Sequence, residues 1–385
     1  VLSNSVPPQL DTIELYNPNL FEVNIGGWLL TDNLRDEIKF KIPDDVRLPA
    51  NGYFIFTEND FENFALDSYG EEIFLIANDS NDQMQGYING FKFGDSASGV
   101  SIGRHLTSDG NVRYEPMADQ TFGLENSNPV SSPLIITELM YHPQNDNAEY
   151  LEIKNIGSLP INLQGTEISG IDYQFDDPDS VLISGGILLV VKEDPVAFRN
   201  DYNVPERVEV YGPFLGSLDN GGERIRIRMP ERSTINGEPD LKVTVDIAEY
   251  SDQDPWPSSA DGLGNSLHRI EPFKYAGDPM SWKATTPSPG IINDGGFDWR
   301  ELFFNSEEIS DNALSGPLAD ADKDGIVNIL EYILGSNPRK PNSRIVERFI
   351  RSDSTNGNGS FELSFTRLQN TQNYKIIIES STDLV

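Results

Sequence analysis

The sequence contains no cysteine, which excludes disulfide bonds and thiol catalysis from the 385-residue chain. Histidine is scarce as well: the chain has His105, His142 and His268, and their spacing matches no zinc-binding motif such as HxxxH. No apolar run approaches the ~20 residues that a membrane-spanning helix needs, so we expect no membrane insertion. A secreted protein of this composition would gain its stability from its cores, from bound metal or from assembly.

Basic residues are few relative to acidic ones. Asp and Glu total 62 against 28 Lys and Arg, and the formal net charge is −34. A field of this sign repels phosphate backbones and anionic membrane surfaces, so we expect no nucleic-acid partner. The same charge favours cation binding and a salty or calcium-rich exterior.

One stretch of the chain occurs twice. Asp11–Asp32, DTIELYNPNLFEVNIGGWLLTD, aligns without a gap with Glu149–Gly170, EYLEIKNIGSLPINLQGTEISG, at a constant offset of 138 residues. The identical pairs are Glu14/Glu152, Asn17/Asn155, Asn24/Asn162 and Gly27/Gly165. So long a period indicates a repeated domain rather than a solenoid unit. Alternating apolar and polar residues in each copy predict half-buried strands.

Further segments extend the similarity between the copies. The first contains ELYNP, VNIGGWLLTD, LPANGYFIF, SYGEEIFLI and GVSIGRH, and the second contains IITELMYHP, EYLEIKN, ISGGILLVV, LDNGGERIRI and DGLGNSLHRI before TPSPG. These motifs resemble the lamin tail domain over about the first three quarters of the chain. The resemblance implies two immunoglobulin-like β-sandwiches and a secreted, extracellular or cell-surface bacterial protein. Trp28 of the first copy is replaced by Thr166 in the second, so the two cores are expected to be filled differently.

The chain is therefore predicted to be all-β, with two lamin-tail-like sandwiches in tandem. The expected domains are residues 1–129 and 130–296 for the sandwiches, 297–343 for a short helical module, and 344–385 for the start of a further, incomplete β-domain. The chain lacks an initial Met and a signal peptide and stops after a strand-like run, so we expect an internal piece of a longer protein.

The first sandwich is expected to be incomplete at one edge. Residues 1–10, VLSNSVPPQL, have no leading strand comparable to LIITELMY in the second copy. Either an upstream segment is missing or another chain completes the edge, because an open sandwich edge is a template for strand addition. We favour the missing segment.

The sharpest local motif is DADKDGIVNILE, residues 320–331, which matches the twelve-residue EF-hand calcium loop. Asp320, Asp322 and Asp324 stand at positions 1, 3 and 5, where alternating side chains converge on one ion. Gly325 at position 6 permits the sharp turn. Hard oxygen ligands at this spacing favour Ca²⁺ over zinc or copper.

The remaining ligands are expected from the second half of the loop. Ile326 would supply its backbone carbonyl, Asn328 would act directly or through water, and Glu331 would supply a bidentate carboxylate. The helix after the loop is expected over Val327–Leu334, with Val327, Leu330 and Leu334 on one buried face. The alternative to a calcium site is an acidic N-terminal helix cap followed by a solvated helix. Because the chain has one such loop, the module resembles a dockerin-like or thrombospondin-type-3-like module, and a structural role is favoured over calcium sensing.

Catalytic motifs are few. Gly99–Gly103, GVSIG, fits the letters of the esterase nucleophile elbow, but that elbow requires a strand-to-helix turn and the repeat is predicted to be all-β. We therefore interpret Ser101 as a scaffold residue and expect no enzyme.

The aromatic residues that might form a carbohydrate platform are Trp256, Trp282, Tyr211 and Phe214. Packing of the two Trp side chains at the sandwich ends is the favoured alternative.

The sequence thus predicts a non-enzymatic extracellular segment, structural or adhesive, that is braced by calcium and belongs to a cell surface, matrix or filament. Expected partners are further copies of the chain or neighbouring domains of a longer polypeptide. The alternative is a set of accessory modules of a large secreted enzyme that bind carbohydrate or protein. A hydrolase using Ser101 is a third, disfavoured possibility.

Overall fold

Short strands bounded by Gly, Pro and Asn turns make up most of the fold, which is all-β. A computed structural model describes residues 1–35, 39–61, 65–78, 84–144, 148–157, 159–232, 239–291, 300, 303–309, 311–334, 336–341, 348–352 and 360–364. The chain divides into two compact units, Val1–Gly295 and Gly296–Val385.

The first repeat forms four groups of antiparallel strands around one core. Its strands are β1 (Thr12–Tyr16), β2 (Val23–Asn24), β3 (Leu29–Thr31), β4 (Phe40–Lys41), β5 (Arg47–Leu48), β6 (Tyr53–Thr57), β7 (Glu72–Asn78), β8 (Met84–Lys92), β9 (Ile102–Leu106) and β10 (Val112–Pro116). β1 pairs with β6, β2 pairs with β5, β9 pairs with β10, and a four-stranded sheet has the order β4-β3-β7-β8. Ile13, Phe56 and Ile102 from the strand pairs meet Leu30 and Ile73 from the sheet in the core.

The second repeat is a β-sandwich with two larger sheets. Its strands are β11 (Leu134–Met140), β12 (Tyr150–Asn155), β13 (Ile161–Asn162), β14 (Glu167–Ser169), β15 (Tyr173–Gln174), β16 (Val181–Leu182), β17 (Ile187–Val191), β18 (Glu209–Tyr211), β19 (Gly222–Glu231), β20 (Leu241–Ser251), β21 (Ser266–Arg269) and β22 (Trp282–Thr285). A six-stranded sheet, β18-β17-β12-β11-β21-β22, packs against a four-stranded sheet, β15-β14-β19-β20, through one core.

The outer face of the six-stranded sheet carries a second layer. Helix α1 (Pro195–Tyr202) begins after Asp194, whose carboxylate accepts hydrogen bonds from the backbone N–H groups of the first turn. Phe198 of this helix is fully buried against Tyr150 and Leu189 of the sheet. The sheet is therefore covered on both faces, which explains the continuous apolar run in β17.

The two repeats share side-chain hydrogen bonds as well as sequence. Asn17 is buried and its Nδ2 donates to the carbonyl of Leu48 at 3.0 Å. Asn155 occupies the same place in the second copy, and its Nδ2 donates to the carbonyl of Leu182 at 2.9 Å. In each copy one Asn therefore ties the end of a strand, β1 or β12, to the turn beside it.

The chain bends sharply after Asn24 in the first repeat and after Asn162 in the second, and each bend requires a glycine. Gly27 has φ +82° and Gly165 has φ +74°, in the left-handed region that side chains with a Cβ rarely adopt. The next residue differs between copies: Trp28 is half-buried and its ring lies 5.6 Å from that of Tyr87 at a tilt of 46°, whereas Thr166 is completely buried. The two cores are filled differently at this point, as the sequence predicts.

The second unit contains short helices and one hairpin. Its helices are α2 (Ser306–Ile309), α3 (Asn312–Ser315) and α4 (Asn328–Leu334), and strands β23 (Arg348–Ser352) and β24 (Ser360–Ser364) pair antiparallel. Of the helical module expected over residues 297–343, residues 297–299, 301, 302, 310, 335, 342 and 343 lie outside the described residues, as do residues 344–347, 353–359 and 365–385 of the expected β-domain. Within the described chain, no helix is both long and apolar enough to cross a membrane.

Candidate functional site

The acidic loop is drawn into a tight turn between α3 and α4. The backbone N–H of Asn328 donates to the carbonyl of Ala319 at 2.7 Å and so closes the loop at its ends. Lys323 has φ +64° and Gly325 has φ +93°, which produces the sharp reversal expected at this motif. One carboxylate oxygen from each of Asp320, Asp322 and Asp324 lies within 4.8 Å of the others, as an ion site requires.

These three carboxylates divide their oxygens between two uses. One oxygen of each holds the loop: Asp320 accepts from Gly325 N–H at 2.9 Å, and Asp324 accepts from Ile326 N–H at 2.9 Å. Asp322 in turn accepts from the N–H of Asp324 at 3.1 Å. The opposite oxygens of Asp320 and Asp322 are buried and accept no hydrogen bond from any described residue. Buried acceptors left in this way are costly unless a cation or water satisfies them.

Like charges also face one another in the loop. Partial desolvation, followed by the charges of Asp324 and Asp320, raises the pKa of the Asp322 carboxyl. A divalent cation between the three groups would relieve this repulsion and lower the same pKa. The chemistry of the three carboxylates therefore fits Ca²⁺.

The side chain of Asn328 bonds to backbone groups and does not join the cluster of the three aspartates. Its side chain is fully buried, and its Oδ1 accepts from the N–H of Ala321 at 3.0 Å. Its Nδ2 donates to the carbonyls of Leu314 and Gly316 at 2.9 and 3.0 Å. In this geometry Asn328 holds the loop against the preceding turn, a role that the ligand spacing alone did not indicate.

The last expected ligand, Glu331, lies one turn into α4. It is fully buried, and Ser336 Oγ donates to its Oε1 at 3.2 Å. Glu331 is not part of the group whose ligand oxygens lie within 4.8 Å of one another. The structure therefore brings the three aspartates together and places Glu331 apart from them, within α4.

A second cluster of charged groups lies where the two repeats meet. Glu115 of β10 is fully buried, forms an ion pair with Arg224 of β19, and accepts a hydrogen bond from Tyr275 Oη at 2.7 Å. Burial raises the pKa of Glu115, and the charge of Arg224 opposes that rise. Arg113 beside it pairs with Glu249 of β20 at 2.6 Å. Residues of both repeats thus share one polar network, in which Glu115 is buried and Arg224, Arg113 and Glu249 are partly exposed.

Further contacts extend this junction to both sides. Arg228 of the second repeat lies 3.6 Å from Asp95 of the first, and the N–H of Ser98 donates to Glu231 at 2.9 Å. The connection between the repeats is also tied down, since the N–H of Val130 donates to the carbonyl of Pro116 at 2.8 Å. Sequence spacing could not reveal the contacts of Asp95 and Ser98 with the second repeat, because their partners Arg228 and Glu231 lie more than a hundred residues away.

A third polar cluster lies inside the second sandwich. Glu138 accepts hydrogen bonds from the hydroxyls of Tyr150 and Ser266 and from the N–H of Ser288, the latter at 3.0 Å. His268 Nε2 lies 2.8 Å from Ser266 Oγ. Serine, histidine and glutamate suggest a catalytic triad, but these three side chains are 0%, 7% and 2% exposed. The same histidine nitrogen contacts both partners, whereas a triad histidine uses both ring nitrogens.

The catalytic and carbohydrate candidates are placed as scaffold and core residues. Ser101 is buried, and strand β9 follows it directly, whereas a nucleophile elbow requires a helix at that place. Trp256, Trp282 and Phe214 are buried in the core of the second sandwich, and Tyr211 packs against it. The expected packing of both Trp side chains is confirmed, and these aromatic residues form no exposed platform.

Comparison with known proteins yields little. No protein-family model matches the chain, and no curated protein matches it. One solved structure aligns with it, the crystal structure of a DUF4876 family protein from Bacteroides thetaiotaomicron VPI-5482. The two share 12% sequence identity with a TM-score of 0.25, over 73% of this chain and 94% of that one.

Proposed function

We propose that the chain is a non-enzymatic extracellular segment whose two lamin-tail-like, immunoglobulin-like sandwiches form a rigid structural or adhesive spacer braced by calcium. The observation that carries this proposal is the buried contact of Glu115 with Arg224 and Tyr275 between the repeats. An ion pair with one fully buried member tolerates few relative orientations, because misalignment leaves the Glu115 carboxylate unpaired and away from water. Two modules joined in this way keep a fixed direction, which suits a cell-surface, matrix or filament component.

The acidic loop supplies the calcium part of the proposal. Asp320, Asp322 and Asp324 would hold the ion directly, with the carbonyl of Ile326, Asn328 or a water beside it, and Glu331 completing the set. Extracellular modules bind Ca²⁺ with Kd of ~0.1–1 mM. At ~10 mM calcium the ion would contribute about 1–3 kcal/mol to folding of this unit.

Calcium titration followed by scanning calorimetry tests this role. We expect one equivalent of Ca²⁺ to raise the unfolding temperature of the second unit by several degrees, because binding to the folded loop alone stabilises it. Asp320→Ala should abolish both the binding and the shift, whereas Asp119→Asn, which changes an exposed carboxylate in the first unit, should leave both intact. Negative-stain images before and after chelation should show that ordered assemblies depend on the ion.

The outcomes separate the parts of the proposal. An unfolding temperature that does not respond to calcium would contradict the brace. If calcium stabilises the fold while no assembly forms at any concentration, the calcium site stands and the structural function loses its support.

Exposed apolar loop tips favour a second candidate function. Leu20 is 87% exposed and Leu159 is 73% exposed, and they occupy neighbouring places in the equivalent loops of the two repeats. Such tips are typical contact points for a protein or polysaccharide. Accessory modules of a large secreted enzyme would bind there, and specific binding on a glycan array that is lost in Leu159→Ser would favour this function.

A further inference from the structure

The last strand in the four-stranded sheet of the first repeat has a free edge. β8 spans nine residues and pairs with β7, at the end of the order β4-β3-β7-β8. Residues 86–90 of this strand are exposed without exception. Among the residues that the structure describes, none outside β7 forms a hydrogen bond with the backbone of residues 86–92. A sheet edge of this kind is a template on which another extended segment can pair.

The equivalent edge of the second repeat is covered. By strand order, β20 takes the place of β8 at the end of β15-β14-β19-β20. The N–H of Lys242 in β20 donates to Asp95 of the first repeat at 2.5 Å. Val130 and Ser131, in the connection between the repeats, line a small cavity together with residues 244–247 of β20. The first repeat and the connection thus shield β20, and no described segment shields β8 in the same way.

Alternate residues of β8 direct their backbone groups to the open side. Along an antiparallel strand, residues alternate between bonding to the neighbour and pointing away from it. The N–H of Phe93, just after β8, donates to the carbonyl of Glu71 at 2.9 Å, and the register places residues 91 and 89 at the next bonded positions. The N–H and C=O groups that remain free of β7 belong to Ile88, Gly90 and Lys92.

The chemistry of this edge fits a second copy of the chain. Residues 84–91, MQGYINGF, carry no charge, although the formal net charge of the chain is −34. Two copies repel each other least where they meet through an uncharged segment. An antiparallel strand edge also matches its own copy about a two-fold axis, which is the commonest symmetry of homodimers.

A two-fold axis at Gly90 is the register that uses all the outward residues on both strands. Gly90 then lies opposite Gly90 of the second copy, and Ile88 lies opposite Lys92 on either side of the axis. A Cβ on Gly90 would lie 2.4 Å from Cδ1 of Phe74, so the phenylalanine ring already covers this glycine from β7. The apolar cover at the centre of the pair is therefore supplied by β7 of each copy.

We propose that β8 pairs antiparallel with β8 of a second copy about a two-fold axis at Gly90, which joins the two four-stranded sheets into one continuous sheet. The inference rests on the proposed structural function and specifies how copies of the chain associate. Backbone hydrogen bonds of Ile88, Gly90 and Lys92 supply the affinity, and the pairs of Ile88 with Lys92 fix the register.

The contact is small, so the dimer should be weak. The paired segment, residues 88–92, is far shorter than the ~20–30 residues that each partner contributes to a standard interface. We expect a dissociation constant between roughly 10 µM and 1 mM. Added salt should strengthen the dimer, because it screens the repulsion between two strongly acidic chains.

Sedimentation velocity of the full chain over this concentration range tests the proposal. The expected result is a monomer–dimer equilibrium of the 42.9 kDa chain that shifts towards the dimer when NaCl is added. Ile88→Pro removes an N–H that β7 does not use and should weaken the dimer by about tenfold or more. Ile88→Val keeps that N–H and a β-branched side chain, so this matched control should change the dissociation constant by less than about threefold.

Two charged variants test the register without altering the backbone. Ile88→Lys places a like charge opposite Lys92 of the second copy, whereas Ile88→Glu places an opposite charge there. The Lys variant should dimerise about tenfold more weakly than the Glu variant, although it lowers the net negative charge of the chain. General repulsion between acidic copies predicts the reverse order. Because Ile88 is exposed, both variants should unfold at nearly the same urea concentration as wild type.

A monomer at every concentration and salt would overturn the proposal, as would a dimer that Ile88→Pro and Ile88→Lys leave unchanged. An open series of larger species would also contradict it, since a two-fold contact closes at the dimer. The calcium response of the second unit and the distance between the repeats can both be measured on the monomer. Failure of this inference is therefore distinguishable from failure of the proposed function.

Discussion

Replacing Glu138 by Ala is expected to lower the free energy of unfolding of the Val1–Gly295 unit by about 3–5 kcal/mol. The carboxylate is 2% exposed and accepts hydrogen bonds from Tyr150, Ser266 and the backbone N–H of Ser288. Its removal leaves these donors and the adjacent His268 without their common acceptor, inside a sheet that water does not reach. Ser288 also lies on the segment that leaves the sandwich after β22, so this segment should loosen first.

Urea denaturation measures the effect, and two variants define its cause. Glu138→Gln keeps the shape and one acceptor, and it should be destabilised by less than the Ala variant. Glu209→Ala, at an exposed position of the edge strand β18, should change the free energy of unfolding by no more than about 0.5 kcal/mol. A loss below about 1 kcal/mol in Glu138→Ala would show that the cluster does not hold the sheet together.

Replacing Glu152 by Gln is expected to remove a pH dependence of stability worth about 3 kcal/mol between pH 4.5 and pH 7. Burial, and then the charge of Glu138 on the neighbouring strand, raise the pKa of Glu152 from 4.5 to about 7. A raised pKa in the folded state means that the folded protein binds the proton more tightly than the unfolded chain. The stability contributed by the protonated form is therefore complete below pH 4.5 and is lost as the pH rises towards 7.

The difference between wild type and Glu152→Gln isolates this contribution from those of other carboxyl groups. Glu138 and His268 lie beside Glu152. Burial raises the pKa of Glu138, but its hydrogen bonds and the charge of His268 outweigh burial and lower that pKa. The stability contributed by Glu138 therefore changes with pH in the opposite direction to that of Glu152. Urea unfolding at a series of pH values should give a smaller decline towards pH 7 for the variant than for wild type. Parallel pH profiles for the two proteins would refute the assignment.

The repeat could be predicted because it is local and periodic. Asn17 and Asn155 recur at one offset, and the structure gives both the same hydrogen bond to a neighbouring turn. The acidic loop was predicted for the same reason, since the convergence of Asp320, Asp322 and Asp324 depends on a contiguous pattern.

Other features could not be predicted because their partners are distant in sequence. Glu138 meets Ser266 and Ser288 across 128 and 150 residues, and Glu115 meets Arg224 across 109. Composition and spacing carry no signal for such encounters. One signal was present in the sequence: Glu138 is a charged residue within the apolar strand LIITELMY. A buried charge needs a partner, so this position indicated that a polar partner lies nearby.

The distance between the two repeats tests the central claim, that they form a rigid spacer. Because the chain has no cysteine, spin labels can be placed singly at Ile55→Cys on β6 and Val196→Cys on α1, which are 39% and 68% exposed. Pulsed electron resonance on the doubly labelled protein, diluted with unlabelled protein to suppress signals between copies, should give one narrow distance distribution. It should broaden in Arg224→Ala but not in Arg232→Ala, an exposed arginine just beyond β19. A broad distribution in the parent protein would contradict the account, since the repeats would then move independently.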